Sequence, residues 1–423
     1  VTPSERDRIV ALDKRWVWHP YTAMDAYVRG VDPLVVERAE GARLWDADGR
    51  SYLDGNASWW VASLGHGHPR LVAALERQAR CFAHVSLAGV THAPAAELAE
   101  ALCRAAPRPG AGPELQHAFF SDDGSTAVEV ALKLSLQYWS QNGRPERTLL
   151  MALDGGFHGE TLGCTALGGV EVFRSPFATS LAPCTHLPSP ADPDVGLERA
   201  CDALADRLAR EGDRVACVVL ESMVQGAAGM RLYDPAYLRV ARDLCDRHDV
   251  FLVLDEVFAG YGRTGPMWAC EHAGITPDLL CTAKGFSGGM LPMAATLAST
   301  RVFEGFLGAP ERAFYYGHSF CGNPLGAAVA LEALRVYDDE KVLEQARPKA
   351  ERITAAFTAL GALPGVARTR ALGMIGALDL VGPSGYLARA GWRVYEEARR
   401  RGAYLRPLGN VVYVTPPLNI PDA

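Results

Sequence analysis

Continuous apolar runs, each about one strand long, recur through the middle of this 423-residue chain. TLLMAL (148–153), VACVVLES (215–222), VFLVLDE (250–256), LLCTAK (279–284) and MAATLAS (293–299) show little polar alternation. Strands apolar on both faces are strands covered on both faces, so these runs predict a mostly parallel sheet layered with helices. AFFS (118–121) opens the series, and the segment after it places Val128, Leu132, Leu136 and Trp139 at helical spacing. Helix-length segments separate the remaining runs, the pattern of an α/β fold. Ligands of open α/β sheets bind at the carboxyl ends of the strands, so residues that close these runs carry the most functional weight.

The flanks read differently. ARLWDADGRSYLDG (42–55) centres on an Asp-Gly pair and predicts a hairpin. Toward the C-terminus, ALGMIGALDL and the strand-like AYLRP and NVVYVTPP alternate with charged helical sequence such as GWRVYEEARRRG, the pattern of an α+β unit. The expected organisation is an N-terminal segment over 1–70 contributing to a small domain and the pocket, a large domain over 71–324, and a C-terminal small domain over 325–423. Neither repeats nor low-complexity tracts interrupt the chain.

Composition narrows the function. Nearly half the residues (49%) are apolar, enough for a sizeable core, and the net charge of −7 argues against nucleic acid or an anionic membrane as partner. No apolar run reaches the length of a membrane span, and the opening VTPSERDRIVALDKRWVWHP lacks the apolar centre of a signal peptide, so cytoplasm is the expected compartment. Ten scattered cysteines without a CxxC pair argue against disulfides, structural zinc and iron–sulfur; Cys217, Cys245, Cys270 and Cys281 read as small core residues.

Candidate chemistry gathers at the run ends. Asp255 closes VFLVLDE and Lys284 closes LLCTAK, each followed by glycine-containing loop sequence. A lysine and a carboxylate at the ends of two strands of one sheet suit pyridoxal phosphate: the amine bonds the cofactor aldehyde and the carboxylate keeps the pyridine nitrogen protonated. The adjacent acids Asp255 and Glu256 also suit a Mg²⁺ ion, but no further carboxylate or histidine cluster accompanies them and no metal is expected. Gly124 and Ser125, between a strand and a helix, suit a phosphate cradle or an ordinary helix cap. Phe157, in GGFHGETLG, offers a ring to stack on a flat cofactor, and Val257 can cover the opposite face; both equally suit plain core packing. His318 and Ser319, in YYGHSFCGNPLG, offer phosphate contacts or form a loop before a helix capped near Asn323. Arg406, between two strand-like runs, suits a substrate carboxylate or a surface ion pair.

These motifs, in this order, resemble class III aminotransferases of PLP fold type I, an aspartate aminotransferase-like α/β architecture, over nearly the whole chain. WHPY (18–21), NASWWVASLGHGHP (56–69), AGVTHAPA (88–95), SDDGSTAVEVALK (121–133), ESMVQGAAGM (221–230) and RPLGNVVYVTPPL (406–418) resemble the biotin-pathway branch of that class. The resemblance implies pyridoxal 5'-phosphate bonded to Lys284, with Asp255 on the ring nitrogen and Gly124 and Ser125 on the phosphate. It implies a homodimer with shared active sites, in which His318 and Ser319 reach the neighbour's phosphate. Tyr21, Trp59, Phe157 and Gly317 would line the substrate pocket, with Arg406 on the far carboxylate. The expected reaction converts 8-amino-7-oxononanoate to 7,8-diaminononanoate, with S-adenosylmethionine or lysine as amino donor. Phe157 stands where relatives commonly carry tyrosine, YGHSF replaces HGPTF, and AKGFSGG replaces GKALTGG, which leaves the donor open. The competing expectations are a general ω-amino acid or diamine aminotransferase, a PLP racemase or aminomutase, and a PLP-binding regulatory module.

Overall fold

The computed structural model describes residues 3–108 and 110–422. Seven strands form its central sheet: β1 (Leu115–Ser121), β2 (Leu149–Leu153), β3 (Cys184–Leu187), β4 (Val215–Glu221), β5 (Phe251–Asp255), β6 (Leu279–Thr282) and β7 (Ala294–Ser299). Their order is β1-β7-β6-β5-β4-β2-β3. Only β7 runs against its neighbours, pairing antiparallel with both β6 and β1. The other pairings are parallel, so β1, β2, β4, β5 and β6 all end along one edge. Every residue of β4, β5, β6 and β7 is buried. That is the two-sided burial their apolar runs required.

The helix Gly124–Gln141 starts at a capping box. Asp123 accepts the Thr126 N–H at 2.9 Å, and Thr126 Oγ1 accepts the Asp123 N–H at 3.1 Å, which fixes where β1 turns into the helix. Val128, Leu132 and Trp139 are buried as their spacing predicts, and the Trp139 indole N–H donates to the Ala216 carbonyl at 2.8 Å. Leu136 is only half-buried.

The N-terminal strands Val36–Glu40, Arg43–Asp46 and Ser51–Asp54 form the expected hairpin plus one further strand. Ala403–Tyr404 then adds in parallel beside Ser51–Asp54, so the two ends of the chain share one sheet. ALGMIGALDL is not one strand. It is a hairpin between Val366–Leu372 and Ile375–Leu380, turning at Gly373 with φ +56°, and Val411–Val414 pairs on its far side. A side chain at Gly373 would run into the backbone of Thr264 and Gly265, so the turn is pressed directly onto the large unit.

The helix Val342–Leu360 covers this small sheet, whereas Pro324–Asp339 packs against Pro69–Cys81 and Ala93–Ala105. By packing, then, the residues immediately after 324 stand with the large unit. Asn323 caps that helix, accepting the Leu325 and Gly326 N–H groups. Among the described residues no helix is long and apolar enough to cross a membrane. Cys217, Cys245, Cys270 and Cys281 are buried free thiols.

One buried ion pair ties the sheet to its helical layer. Asp278, just before β6, accepts from Arg242 Nη1 at 2.8 Å and from the Leu252 N–H at 2.8 Å, with both side chains almost wholly enclosed. Removing the carboxylate leaves a buried guanidinium short of its partner. Asp278→Ala is therefore expected to lower unfolding free energy by about 3–5 kcal/mol, read from urea denaturation of the purified protein.

Candidate active site

Asp255 closes β5 in register with Glu221 at the end of β4. One Asp255 oxygen accepts the Val257 N–H at 3.0 Å. The other lies 2.9 Å from His158 Nδ1. An ionised carboxylate only accepts, so Nδ1 carries the hydrogen. His158 is 3% exposed. Burial opposes its charged form, but the hydrogen bond and the charges of Asp255 and Glu221 outweigh it, and the pKa is raised. Glu221 accepts the Phe157 N–H and the Gly226 N–H, each at 3.0 Å, joining the loops after β2 and β4. Burial, with Asp255 close by, pushes its pKa up to about 7.

Glu256 follows Asp255 but does not join it. Its carboxylate accepts the Ala269 and Cys270 N–H groups at 2.8 Å each. The adjacent acids are thus committed to different partners.

Lys284 stands past the end of β6, on a residue with φ +51° that opens a short 3-10 turn. Its Nζ lies 4.4 Å from the centre of the Trp60 ring and 5.8 Å from that of Phe258. Among the described residues none accepts a hydrogen bond from it. Burial pushes the amine down to about 8, against the pull of Asp255 and Glu221. The neutral fraction near pH 7 is then far above that of an ordinary lysine, which favours its action as nucleophile and base.

The anion end lies at the start of the helix after β1. Asp123 occupies one first-turn N–H, leaving Gly124 and Ser125 at the helix N-terminus, where an anion is favoured. A Cβ at Gly124 would sit 2.7 Å from the Val257 side chain, so only glycine fits there. Ser125 Oγ accepts the Glu160 N–H at 3.1 Å.

These groups share one cavity of about 400 Å³ with Tyr21, Trp59, Trp60, Phe157, Glu160, Phe173, Val257 and Tyr386. At its mouth the Tyr21 ring lies 5.0 Å from Trp59 and 5.5 Å from Phe173, and its hydroxyl donates to Glu160. Arg406 is not part of the cavity lining; its guanidinium lies 4.8 Å over Trp59, which is, and donates to the Tyr21 carbonyl at 3.2 Å. Gly317, His318 and Ser319 do not enter this cavity. Gly317 and His318 line a separate recess, where His318 pairs with Asp122 at 3.2 Å, and Ser319 is exposed.

Several site residues escaped the sequence reading. Glu221 carried a usable signal, an acid closing a strand-length run as Asp255 does. His158 was visible only as a neighbour of Phe157, and Trp60 only as half of the SWW segment. Phe173, in a one-turn helix, carried none; Glu160 shares the glycine turn of Phe157 and Tyr386 follows a Gly-Pro-Ser-Gly turn, but nothing local marked either side chain as facing a cavity.

The residues fit pyridoxal phosphate. A helix N-terminus with room kept by Gly124 suits the phosphate, Asp255 is held by donors that leave lone pairs for a pyridinium N–H, and an unbonded amine faces the same cavity. The cofactor-free protein is expected to capture pyridoxal phosphate at a rate that rises with pH around a midpoint near 8, as the Lys284 amine loses its proton. Lys284→Ala should lose the visible absorbance of bound cofactor and almost all amino transfer. Normal turnover by that variant would remove Lys284 from its role.

Comparison with known proteins agrees with this geometry. The model of the family "Aminotransferase class-III" matches residues 26–423. An adenosylmethionine-8-amino-7-oxononanoate aminotransferase from Nitratidesulfovibrio vulgaris is 42% identical, covering 99% of this chain and 80% of that protein. The crystal structure of the enzyme of the same name from Methanocaldococcus jannaschii superposes with a TM-score of 0.93 at 34% identity, covering 98% of this chain and 95% of that one. An (S)-enantioselective ω-transaminase from Thermomicrobium roseum superposes with a TM-score of 0.91 at 29% identity, covering 98% and 94%. The fold is therefore that of the PLP fold type I enzymes, and the chain belongs to the class III aminotransferases, which use pyridoxal phosphate to move amino groups.

Proposed function

We propose that this enzyme aminates 8-amino-7-oxononanoate to 7,8-diaminononanoate in biotin biosynthesis, with S-adenosylmethionine as donor. The observation that carries the reading is Arg406, which does not line the cavity itself but lies 4.8 Å over Trp59, one of the aromatic side chains that share the cavity with the Lys284 amine. An acceptor with a ketone near one end, a methylene chain and a distant carboxylate matches that order of groups. An ω-transaminase superposes nearly as well as a biotin-pathway enzyme, so the choice rests on the pocket and on the names of the relatives rather than on the fold.

Bound pyridoxal phosphate supplies an aldehyde for the donor amine and a ring that draws electrons from the reacting carbon. The protein does the rest. Asp255, braced by His158 and Val257, would favour a protonated ring nitrogen. Lys284, once free, would be the base that takes the proton from the donor carbon and the acid that returns it on the cofactor side of the reacting nitrogen. Trp59, Trp60, Phe157 and Phe173 keep water from the reacting atoms.

The exposed Gly317-His318-Ser319 loop supports a second part of the proposal, a cytoplasmic homodimer in which this loop completes the partner's phosphate site. Lys284→Ala mixed with a variant disrupted at Ser319, each inactive alone, is expected to regain activity on subunit exchange. No recovery after confirmed exchange would count against sharing.

Arg406→Ala tests the acceptor. Losing one charge-assisted contact should cost roughly 1.5–3 kcal/mol, about one to two powers of ten in acceptor kcat/KM, with cofactor absorbance unchanged. Arg406→Lys should recover part of this, since a point charge cannot reproduce a planar fork. Offering S-adenosylmethionine and lysine separately to the loaded enzyme, and following which one bleaches the cofactor absorbance, tests the donor.

A further inference from the structure

Trp60 touches the Lys284 amine, and an unusual stretch of backbone puts it there. Ala57, Ser58, Trp59 and Trp60 have φ of +46°, +44°, +65° and +75°. Four successive non-glycine residues in the left-handed region each bring Cβ against backbone oxygen, a conformation that persists only where the surroundings enforce it.

Two groups enforce it here. Asp54, fully buried, accepts from Ser58 Oγ at 2.7 Å and lies 2.9 Å from His66 Nε2. Asn56 donates to the Tyr413 carbonyl at 3.2 Å and accepts the Arg406 N–H at 2.5 Å. The turn sends adjacent indoles to different places. Trp59 goes to the mouth beside Tyr21 and Arg406. Trp60, 6% exposed, goes inward, where its Nε1 donates to the Tyr413 hydroxyl at 3.0 Å and its ring packs 4.5 Å from Phe258. Its ring centre is then 4.4 Å from Lys284 Nζ.

We propose that Trp60 is a positioning residue for Lys284, its indole face holding the free amine and favouring the ammonium form whenever the amine is not bonded to cofactor. The proposal rests on Lys284 as the cofactor's anchor and goes beyond it. Enclosure strips the ammonium of water. The titratable groups facing it are Asp255 and Glu221, with His158 behind Asp255, and the Tyr413 hydroxyl is engaged by Trp60. An aromatic face attracts a cation without offering a lone pair that would fix the amine in place. A group that must accept a proton and hand it back needs both of its forms within reach.

The rate at which cofactor-free protein captures pyridoxal phosphate follows the neutral fraction of this amine, so its pH profile reads the effect directly. Trp60→Leu is expected to move the midpoint down by roughly one pH unit, while Trp60→Phe, which keeps an aromatic face, stays near the parent. An unchanged midpoint in Trp60→Leu, or equal shifts in both variants, would overturn the proposal.

A second measurement leaves the side chain's shape intact. Protein labelled with 5-fluorotryptophan at its eight tryptophans carries a weaker ring quadrupole. Its midpoint should fall by roughly a few tenths of a pH unit in the parent and not in Trp60→Phe. If Trp60→Leu does not fold, an unmoved midpoint on fluorination overturns the proposal alone. Failure of the underlying assignment shows separately, as covalent cofactor attachment, fixed by borohydride reduction, that survives Lys284→Ala.

Discussion

Enclosure of opposite charges at one sheet edge governs this protein. Lys284, Asp255, His158 and Glu221 line one cavity, where burial pushes the Lys284 amine down and the Glu221 carboxyl up while the charge of Asp255 opposes the first and reinforces the second. The hydrogen bond from His158 to Asp255 is the central contact: it fixes the carboxyl group's orientation and gives it a partner out of water. Asp255 in turn limits how far burial can discharge Lys284. The whole set exists because parallel strands end together, placing groups from distant parts of the sequence a few ångströms apart.

Around that centre, structure and chemistry share the same contacts. Glu221 spans the loops after β2 and β4 and so fixes the backbone that carries Phe157. The Asp54 cluster holds a left-handed turn that points one tryptophan at the substrate mouth and the next at the amine. Arg406 is tethered through its own N–H to Asn56, in that same turn, and through its guanidinium to Tyr21. Residues 54–60 thus contact both Arg406 and the Lys284 amine, beside the strand pairing that joins the N- and C-terminal segments.

Legibility in the sequence followed burial. Strands buried on both faces stood out as unbroken apolar runs, and β4 to β7 were read almost to the residue. The edge strand β3 was not, because CTHL is short and its first three residues are only half-buried. The hairpin within ALGMIGALDL was read as one segment, because its turn at Gly373 lacks the usual Asn-Gly or Asp-Gly signal. Among the residues that line the cavity, those ending a run or sitting in a glycine turn are the ones the sequence singled out: Lys284, Asp255, Gly124, Ser125 and Phe157. Those whose importance comes from a neighbour across the sheet were not.

By itself the sequence determined the layered α/β fold, the strand ends on which chemistry could stand, and the residue types available there. Periodicity and side-chain chemistry are local properties, and local properties survive in one dimension. Which strand lies beside which is not local. Only the tertiary structure paired Asp255 with His158, set Glu221 beside it, laid Trp60 on the Lys284 amine and left Gly317, His318 and Ser319 outside their own chain's cavity. Strand order and enclosure decide those contacts, and with them which charges stay in water and which must find partners without it.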